Sequence, residues 1–187
     1  MSRVGNKPVA FPSGVTVTVG AQEFTVKGPK GELRQQYDSR IKIAVDNAAK
    51  QAVFTRDGNQ KEARALHGLY RSLMNNMIIG VTQGYERRLR IVGTGYRVEL
   101  TGKTLVIQAG YCHPVHFTPV AGVEIELPKS TSREYMDFIV RGIDKQKVME
   151  AAAQLRRVRP PDLYKGKGIR YGDEKVRRLE GKSFASA

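Results

Sequence analysis

One order of patterns runs through this chain twice, and that repetition limits the fold more than any other feature of the sequence. From Val15 to Thr55 apolar residues alternate with period two: Val15, Val17 and Val19; Phe24 and Val26; Ile41, Ile43 and Val45; then Val53. Such runs predict half-buried strands. Gly28-Pro29-Lys30-Gly31 interrupts them with turn formers, which predicts a hairpin turn and an antiparallel pairing of the second run with the third. From about Gln60 the period changes. Leu66, Leu69, Tyr70, Leu73, Met74 and Met77 follow three-and-four spacing, with Asn59 and Glu62 placed to cap an amphipathic helix.

The same order then returns: Leu89 and Ile91; Tyr96, Val98 and Leu100; Leu105 and Ile107; Val123, Ile125 and Leu127; Phe138 and Val140; and a second helix from about Asp144. Duplication is the natural reading. At an offset of 86, Gln60-Lys61, Leu69 and Arg71 fall on Gln146-Lys147, Leu155 and Arg157, whereas an offset of 81 pairs Phe24 with Leu105 and Val26 with Ile107. The second copy therefore carries a longer loop, for which Thr118 to Gly122 is the expected place. A boundary near Gly80-Val81-Thr82-Gln83-Gly84 divides the chain into residues 1–82 and 83–187. The expected fold is α+β: two tandem copies of a small domain, each an antiparallel sheet with a helix packed on one face and its other face left for solvent or a partner.

Charge narrows the choice of partner. The 187 residues carry 32 Lys and Arg against 18 Asp and Glu, a balance of +14 that excludes an acidic class and points to a polyanion. Apolar runs such as Met77-Ile78-Ile79 are far shorter than the roughly 20 residues a bilayer requires, so no membrane partner is expected. The segment Met1-Ser2-Arg3-Val4-Gly5-Asn6-Lys7-Pro8 does not lead into the apolar stretch of a secretory signal. The single Cys112 fits a reducing compartment, the cytoplasm by default.

The charge is densest from Arg156 to Arg170, where Arg156, Arg157, Arg159, Lys165, Lys167 and Arg170 face only Asp162. Pro160 and Pro161 must stop the preceding helix, because proline lacks an amide donor and restricts the residue before it; a loop is expected to follow. Lys165-Gly166-Lys167-Gly168 alternates cations with glycines, letting the backbone approach phosphates while ammonium groups reach outward. Tyr164 and Tyr171 bracket it, offering flat faces to splayed bases or ribose. Lys175, Arg177 and Arg178 extend the cluster, and every phosphate neutralised would steepen the salt dependence. Such a loop, ordered only on RNA, is expected to be mobile when free.

Other motifs carry less. His113 and His116 lack a third ligand at metal-site spacing. His67 reads as a packing or hydrogen-bonding residue, and Gly28-Pro29-Lys30-Gly31 resembles a KH clamp only in letters, since its flanks read as strands. Gly93-Thr94-Gly95-Tyr96 lacks the third glycine of a dinucleotide fingerprint and is expected to be a bulge or bend in a long strand. Glu124 and Glu126 are solvent-facing strand positions, and Cys112 has no activating partner. No reactive centre, cofactor or small-molecule substrate is expected.

Pro161-Asp162-Leu163-Tyr164-Lys165-Gly166-Lys167-Gly168-Ile169-Arg170-Tyr171 resembles the signature of the bacterial large-subunit ribosomal protein L-six (uL-six) family. Ala65-Leu66-His67-Gly68-Leu69 with Arg71-Ser72-Leu73, Gly80-Val81-Thr82-Gln83-Gly84-Tyr85, Val92-Gly93-Thr94-Gly95-Tyr96-Arg97 and Gly110-Tyr111-Cys112-His113-Pro114-Val115 reinforce the likeness. The resemblance implies a non-enzymatic constituent of the large ribosomal subunit that binds 23S rRNA, chiefly through its second domain, near the sarcin–ricin region and the base of the factor-binding stalk. Neighbouring large-subunit proteins would be its other partners, and the cytoplasmic ribosome its location. Carried over by position, the RNA-contacting residues are Tyr164, Lys165, Gly166, Lys167, Gly168, Arg170 and Tyr171, with Arg156, Arg157 and Arg159 upstream; Lys175, Arg177 and Arg178 join them on charge alone. Cys112 stands where serine is common, and the tail Glu180–Ala187 is less basic than many, which weakens the expectation of a tail contact. A free-standing RNA-binding regulator is the alternative.

Overall fold

The computed structural model describes residues 4–128 and 135–179. Two compact units form: one runs to Tyr85 and includes Ile143–Lys145, the other takes Glu86–Gly142 and resumes at Gln146. They part three residues beyond the expected 82/83.

In the first unit β1 (Val9–Ala10), β2 (Thr16–Val19), β3 (Glu23–Gly28), β4 (Gly31–Gln36), β5 (Ile41–Asp46) and β6 (Gln51–Arg56) precede α1 (Lys61–Thr82). The strands divide between two antiparallel sheets, ordered β1-β6-β5 and β2-β3-β4. Alternation sends Phe24, Val26, Ile41 and Phe54 inward, where Met74, Met77, Ile78 and Val81 of α1 meet them. Each such buried side chain contributes about 1.5–3 kcal/mol.

Sequence and structure differ here in three ways. The run at Ile41–Val45 pairs with β6 and not with β3, whose partner is the polar β4. The Pro29-Lys30 turn does close a hairpin, between β3 and β4, but it faces the end of α1: the Lys30 N–H donates to the Val81 carbonyl at 3.0 Å and its ammonium to that of Gln83. Those bonds satisfy carbonyls that a helix end leaves open. The expected caps serve elsewhere, since Asn59 accepts from Arg56 and Glu62 from Arg40, and Gln60 takes the N-cap position without a side-chain bond. Leu69, read as core, is 49% exposed. His67 is buried instead, one ring nitrogen 3.0 Å from the Phe54 carbonyl and the other 3.2 Å from the Arg56 guanidinium.

The second unit repeats the plan with β7 (Tyr85–Val92), β8 (Arg97–Thr101), β9 (Thr104–Gln108), β10 (Val115–Phe117), β11 (Val123–Glu126), β12 (Tyr135–Gly142) and α2 (Lys145–Val158). Its sheets, β8-β9-β10 and β11-β12-β7, match those of the first unit strand for strand. Buried positions align at the expected 81 through Phe24/Leu105 and Val26/Ile107. The helices align at 85, not 86: Ala63, Leu66, His67 and Tyr70 fall on Val148, Ala151, Ala152 and Leu155, whereas 86 sets exposed Leu69 on fully buried Leu155. The extra length lies mostly after β11, in 127–134, and not in 118–122, because Ile43 faces Phe54 in the first copy while Ile125 faces the more distant Val140 in the second. Among the described residues one element has no counterpart: β13 (Gly168–Tyr171) adds a fourth strand beside β7.

Candidate nucleic-acid interface

The basic segment is built around that added strand. α2 carries Arg156 and Arg157 in its last turn, where cations oppose the negative end of the helix dipole, and buried Leu155 anchors the turn. Pro160 and Pro161 then end the helix. The chain runs through an open turn into β13, which pairs antiparallel with β7. The expected uninterrupted loop is therefore shorter: Gly168 to Tyr171 are strand.

Two glycines make the turn possible. Gly168 has φ +140, and a Cβ there would sit 2.6 Å from the Pro160 carbonyl oxygen and 2.8 Å from the Pro161 Cα. Gly166 has φ +70 and lies against the Arg178 guanidinium. Hydrogen bonds close the turn on itself: the Asp162 N–H donates to the Lys167 carbonyl at 2.8 Å, the Gly166 N–H to the Asp162 carbonyl at 3.0 Å, and the Lys165 N–H to the Asp162 carboxylate at 3.0 Å. The Lys165 amide, with those of Tyr164 and Leu163, holds the Asp162 carboxyl below its usual range. The Ile169 N–H reaches the Arg159 carbonyl at 2.7 Å, and the Leu179 N–H reaches that of Leu163 at 2.9 Å. These bonds give a definite shape to the turn expected to be mobile in the free chain.

The cations separate into two groups. Lys165, Arg157, Lys175, Arg177 and Arg178 are exposed, as are Tyr164 and Leu163 at the tip of the turn. Arg170 projects from β13 opposite Arg90 of β7. Like charges facing across strands repel, but Asp137 engages Arg90 through two bonds of 2.7 and 3.0 Å, so Arg90's charge is offset and Arg170 is tolerated beside it.

The other cations serve the fold. Arg156 binds both oxygens of Glu174, at 2.9 Å from Nε, and Glu174 also accepts from the Tyr171 N–H at 3.1 Å. The Tyr171 ring lies under the guanidiniums of Arg87, at 4.4 Å, and Arg156, at 5.7 Å. Its faces are engaged, leaving Tyr164 as the open aromatic of the pair. Arg159 lies 5.0 Å over the Tyr111 ring; its hydrogen bond to Tyr111, with Tyr96 close by, raises its already high pKa, and the Tyr111 hydroxyl donates to the Val158 carbonyl. The Lys167 ammonium donates to the Thr94 hydroxyl at 3.1 Å, which brings the turn between β7 and β8 beside the basic turn. Gly93-Thr94-Gly95-Tyr96 is thus an inter-strand turn, not a bend within one strand.

Asp162, Glu174, Thr94, Tyr111 and Arg87 were not anticipated. Only Asp162 had a sequence signal, an aspartate opening a turn; the others act across the fold. His113 and His116 are exposed, and among the described residues no three His, Cys, Asp or Glu side chains converge. No described helix is long and apolar enough to span a bilayer. The tail, 180–187, lies outside the described residues.

Glu174 titrates below the ordinary value of 4.5, chiefly because Arg156 binds it, with the Tyr171 amide assisting against partial burial. A carboxyl lowered on folding contributes stability that is complete above its unfolded value and lost as pH falls through the folded one. Glu174→Gln is therefore expected to cost about 1 kcal/mol at neutral pH, a modest value for a partly exposed pair. Urea unfolding titrated from neutral to acid should show the wild-type and variant curves converging once Glu174 is protonated. A constant gap at all pH values would assign the loss to packing.

The sequence model of the family described as Ribosomal protein L6 matches residues 11–84 and 92–172, one segment in each copy. Large ribosomal subunit protein uL6 of Halalkalibacterium halodurans is 50% identical over 183 residues, spanning 98% of this chain and 99% of its own length. The proteins of the same name from Clostridium botulinum and Clostridium beijerinckii are 51% and 52% identical over 184 residues, again 98% of this chain and 98% of theirs. These full-length likenesses agree with the duplicated α+β fold: the chain belongs to the Ribosomal protein L6 family, a family of structural ribosomal proteins and not of enzymes.

Proposed function

We propose that the chain is a structural constituent of the large ribosomal subunit in the cytoplasm, binding 23S rRNA mainly through its second domain, near the sarcin–ricin region and the stalk base. Residues 1–82 and 83–187 are the two domains of this reading, whereas the compact units part after Tyr85 and Ile143–Lys145 returns to the first. One observation carries it: the strand that, among the described residues, only the second copy has is joined to its helix by a glycine-shaped turn rimmed with exposed cations. Lys165, Arg157, Arg170, Lys175, Arg177 and Arg178 contact phosphate directly, and Tyr164 offers the stacking face. Arg156, Arg159, Lys167, Tyr171, Gly166 and Gly168 hold the turn in shape, Lys167 keeping ammonium protons for RNA beyond its bond to Thr94. Double-helical RNA hides its base edges in a deep groove, so phosphate and 2′-hydroxyl contacts dominate over base reading. Co-sedimentation of the tagged chain with 50S particles tests the assignment. Recovery with the large subunit is expected, and recovery only as free protein would refute it.

A further inference from the structure

The second unit has a side unlike the rest of this cationic chain. From Thr104 to Pro128, the longest stretch without Lys or Arg, the sequence carries only Glu124 and Glu126 as charges. Those two residues lie on β11, the terminal strand of β11-β12-β7-β13, so the acidic strand and the strand bearing Arg170 occupy opposite edges of one sheet. No described strand pairs with the outer side of β11. Beside it runs a groove of about 400 Å³ between the β8–β9 hairpin, through Leu100 and Lys103, and the segment from Val120 to Glu126. Val120 is 60% and Leu100 40% exposed, so the groove has an apolar wall open to solvent.

We infer that this edge docks an extended polypeptide segment of a neighbouring protein, which adds a strand to β11 and alternates cationic with apolar residues. An added strand presents side chains with period two. On the outer face its residues would meet Glu124 and Glu126, since opposite charges across strands attract and like charges repel; Glu126 is already shared with Arg141, so Glu124 supplies the less committed charge. On the other face they would enter the groove against Leu100 and Val120. RNA fits poorly: among the described residues the only cation lining the groove is Lys103, and phosphates would meet two carboxylates. With the proposed RNA contact, one sheet would hold RNA at one edge and protein at the other; the docking at β11 itself stands whether or not the basic turn binds 23S rRNA.

The full chain should be titrated with a fluorescent peptide of alternating Lys and Val, against an alternating Glu and Val peptide and a block peptide of the first composition. Attraction of the cationic peptide to a chain of net +14 must be local. The alternating Lys peptide is expected to bind at least tenfold more tightly than either control and to slow amide exchange at residues 123–126. In the double variant Glu124→Lys, Glu126→Lys the preference should invert, while Lys165→Ala, Lys167→Ala, Arg170→Ala binds the peptide like wild type. Because both glutamates point outward, circular dichroism should find the charge-reversed chain folded; Val120→Asp provides a second test on the groove wall, expected to weaken the peptide at least fivefold. Equal binding of the three peptides, unprotected amides at 123–126, or protection of those amides by rRNA fragments instead would overturn the inference.

Discussion

Replacing Lys165, Lys167 and Arg170 together by alanine is expected to weaken association with large-subunit RNA about 100-fold at near-physiological salt. Each lost phosphate contact at an open surface is given about 1 kcal/mol, and 1.4 kcal/mol is a factor of ten. The same change should flatten the plot of log affinity against log salt by about two to three, because each neutralised phosphate contributes roughly 0.7–0.9 to that slope. Unfolding should be little affected, for Lys165 is exposed and the Lys167 bond to Thr94 is a surface contact. Filter binding at several salt concentrations, beside urea unfolding, checks both halves. Arg156→Ala supplies the contrast: it should destabilise the chain by removing the Glu174 pair while moving the salt slope less than a phosphate-binding arginine does. An unchanged slope in the triple variant would remove the basic turn from the interface.

The second large effect concerns the backbone. Gly168→Ala is expected to cost at least about 3 kcal/mol, combining a strained positive φ with an overlap against backbone that has no side-chain freedom to yield. The contacts at 2.6 and 2.8 Å come from Pro160 and Pro161, whose positions follow from the end of α2. Relief would require β13 to leave β7, carrying Arg170 away and opening the turn, so RNA affinity should fall with stability. Gly102→Ala separates strain from overlap: its φ is +62 but nothing lies within 4 Å of the added methyl, and about 1 kcal/mol is expected. Paired urea titrations measure the difference. Equal losses at the two positions would show that the crowding at Pro160 relaxes.

How much of this was legible follows from which interactions are local. The duplicated plan and the helices could be read because strand and helix periods are written in neighbouring residues. β4 escaped notice since Glu32, Arg34 and Gln36 are exposed and its inner side is only half-buried, leaving one clear apolar residue, Leu33. β13 escaped because four residues containing only Ile169 as an aliphatic carry little period, and its partner β7 lies far back in sequence. At the site, composition located the cations but could not say which were engaged. Arg156 differs from Arg157 because Glu174 reaches it across the fold, and Tyr171 differs from Tyr164 because Arg87 covers it. The misplaced helix offset has the same origin: identity at Leu69 and Leu155 outvoted a burial pattern visible only in three dimensions.

The buried imidazole of His67 bears on how a duplicated chain avoids tangling as it is made. Its place in the second copy is taken by Ala152, so the two helices present incompatible shapes to the sheets they cover. Were α2 to settle on the first copy, the Phe54 carbonyl would lose the ring that meets it; were α1 to settle on the second, an imidazole would be forced where a methyl group fits. Tandem relatives are prone to exchanging segments during synthesis. Divergence at this matched position, the one that places a polar ring in one helix and a methyl group in the other, gives each half a reason to choose its own helix, and a His67→Ala chain should refold with more trapped, cross-assembled product than its parent.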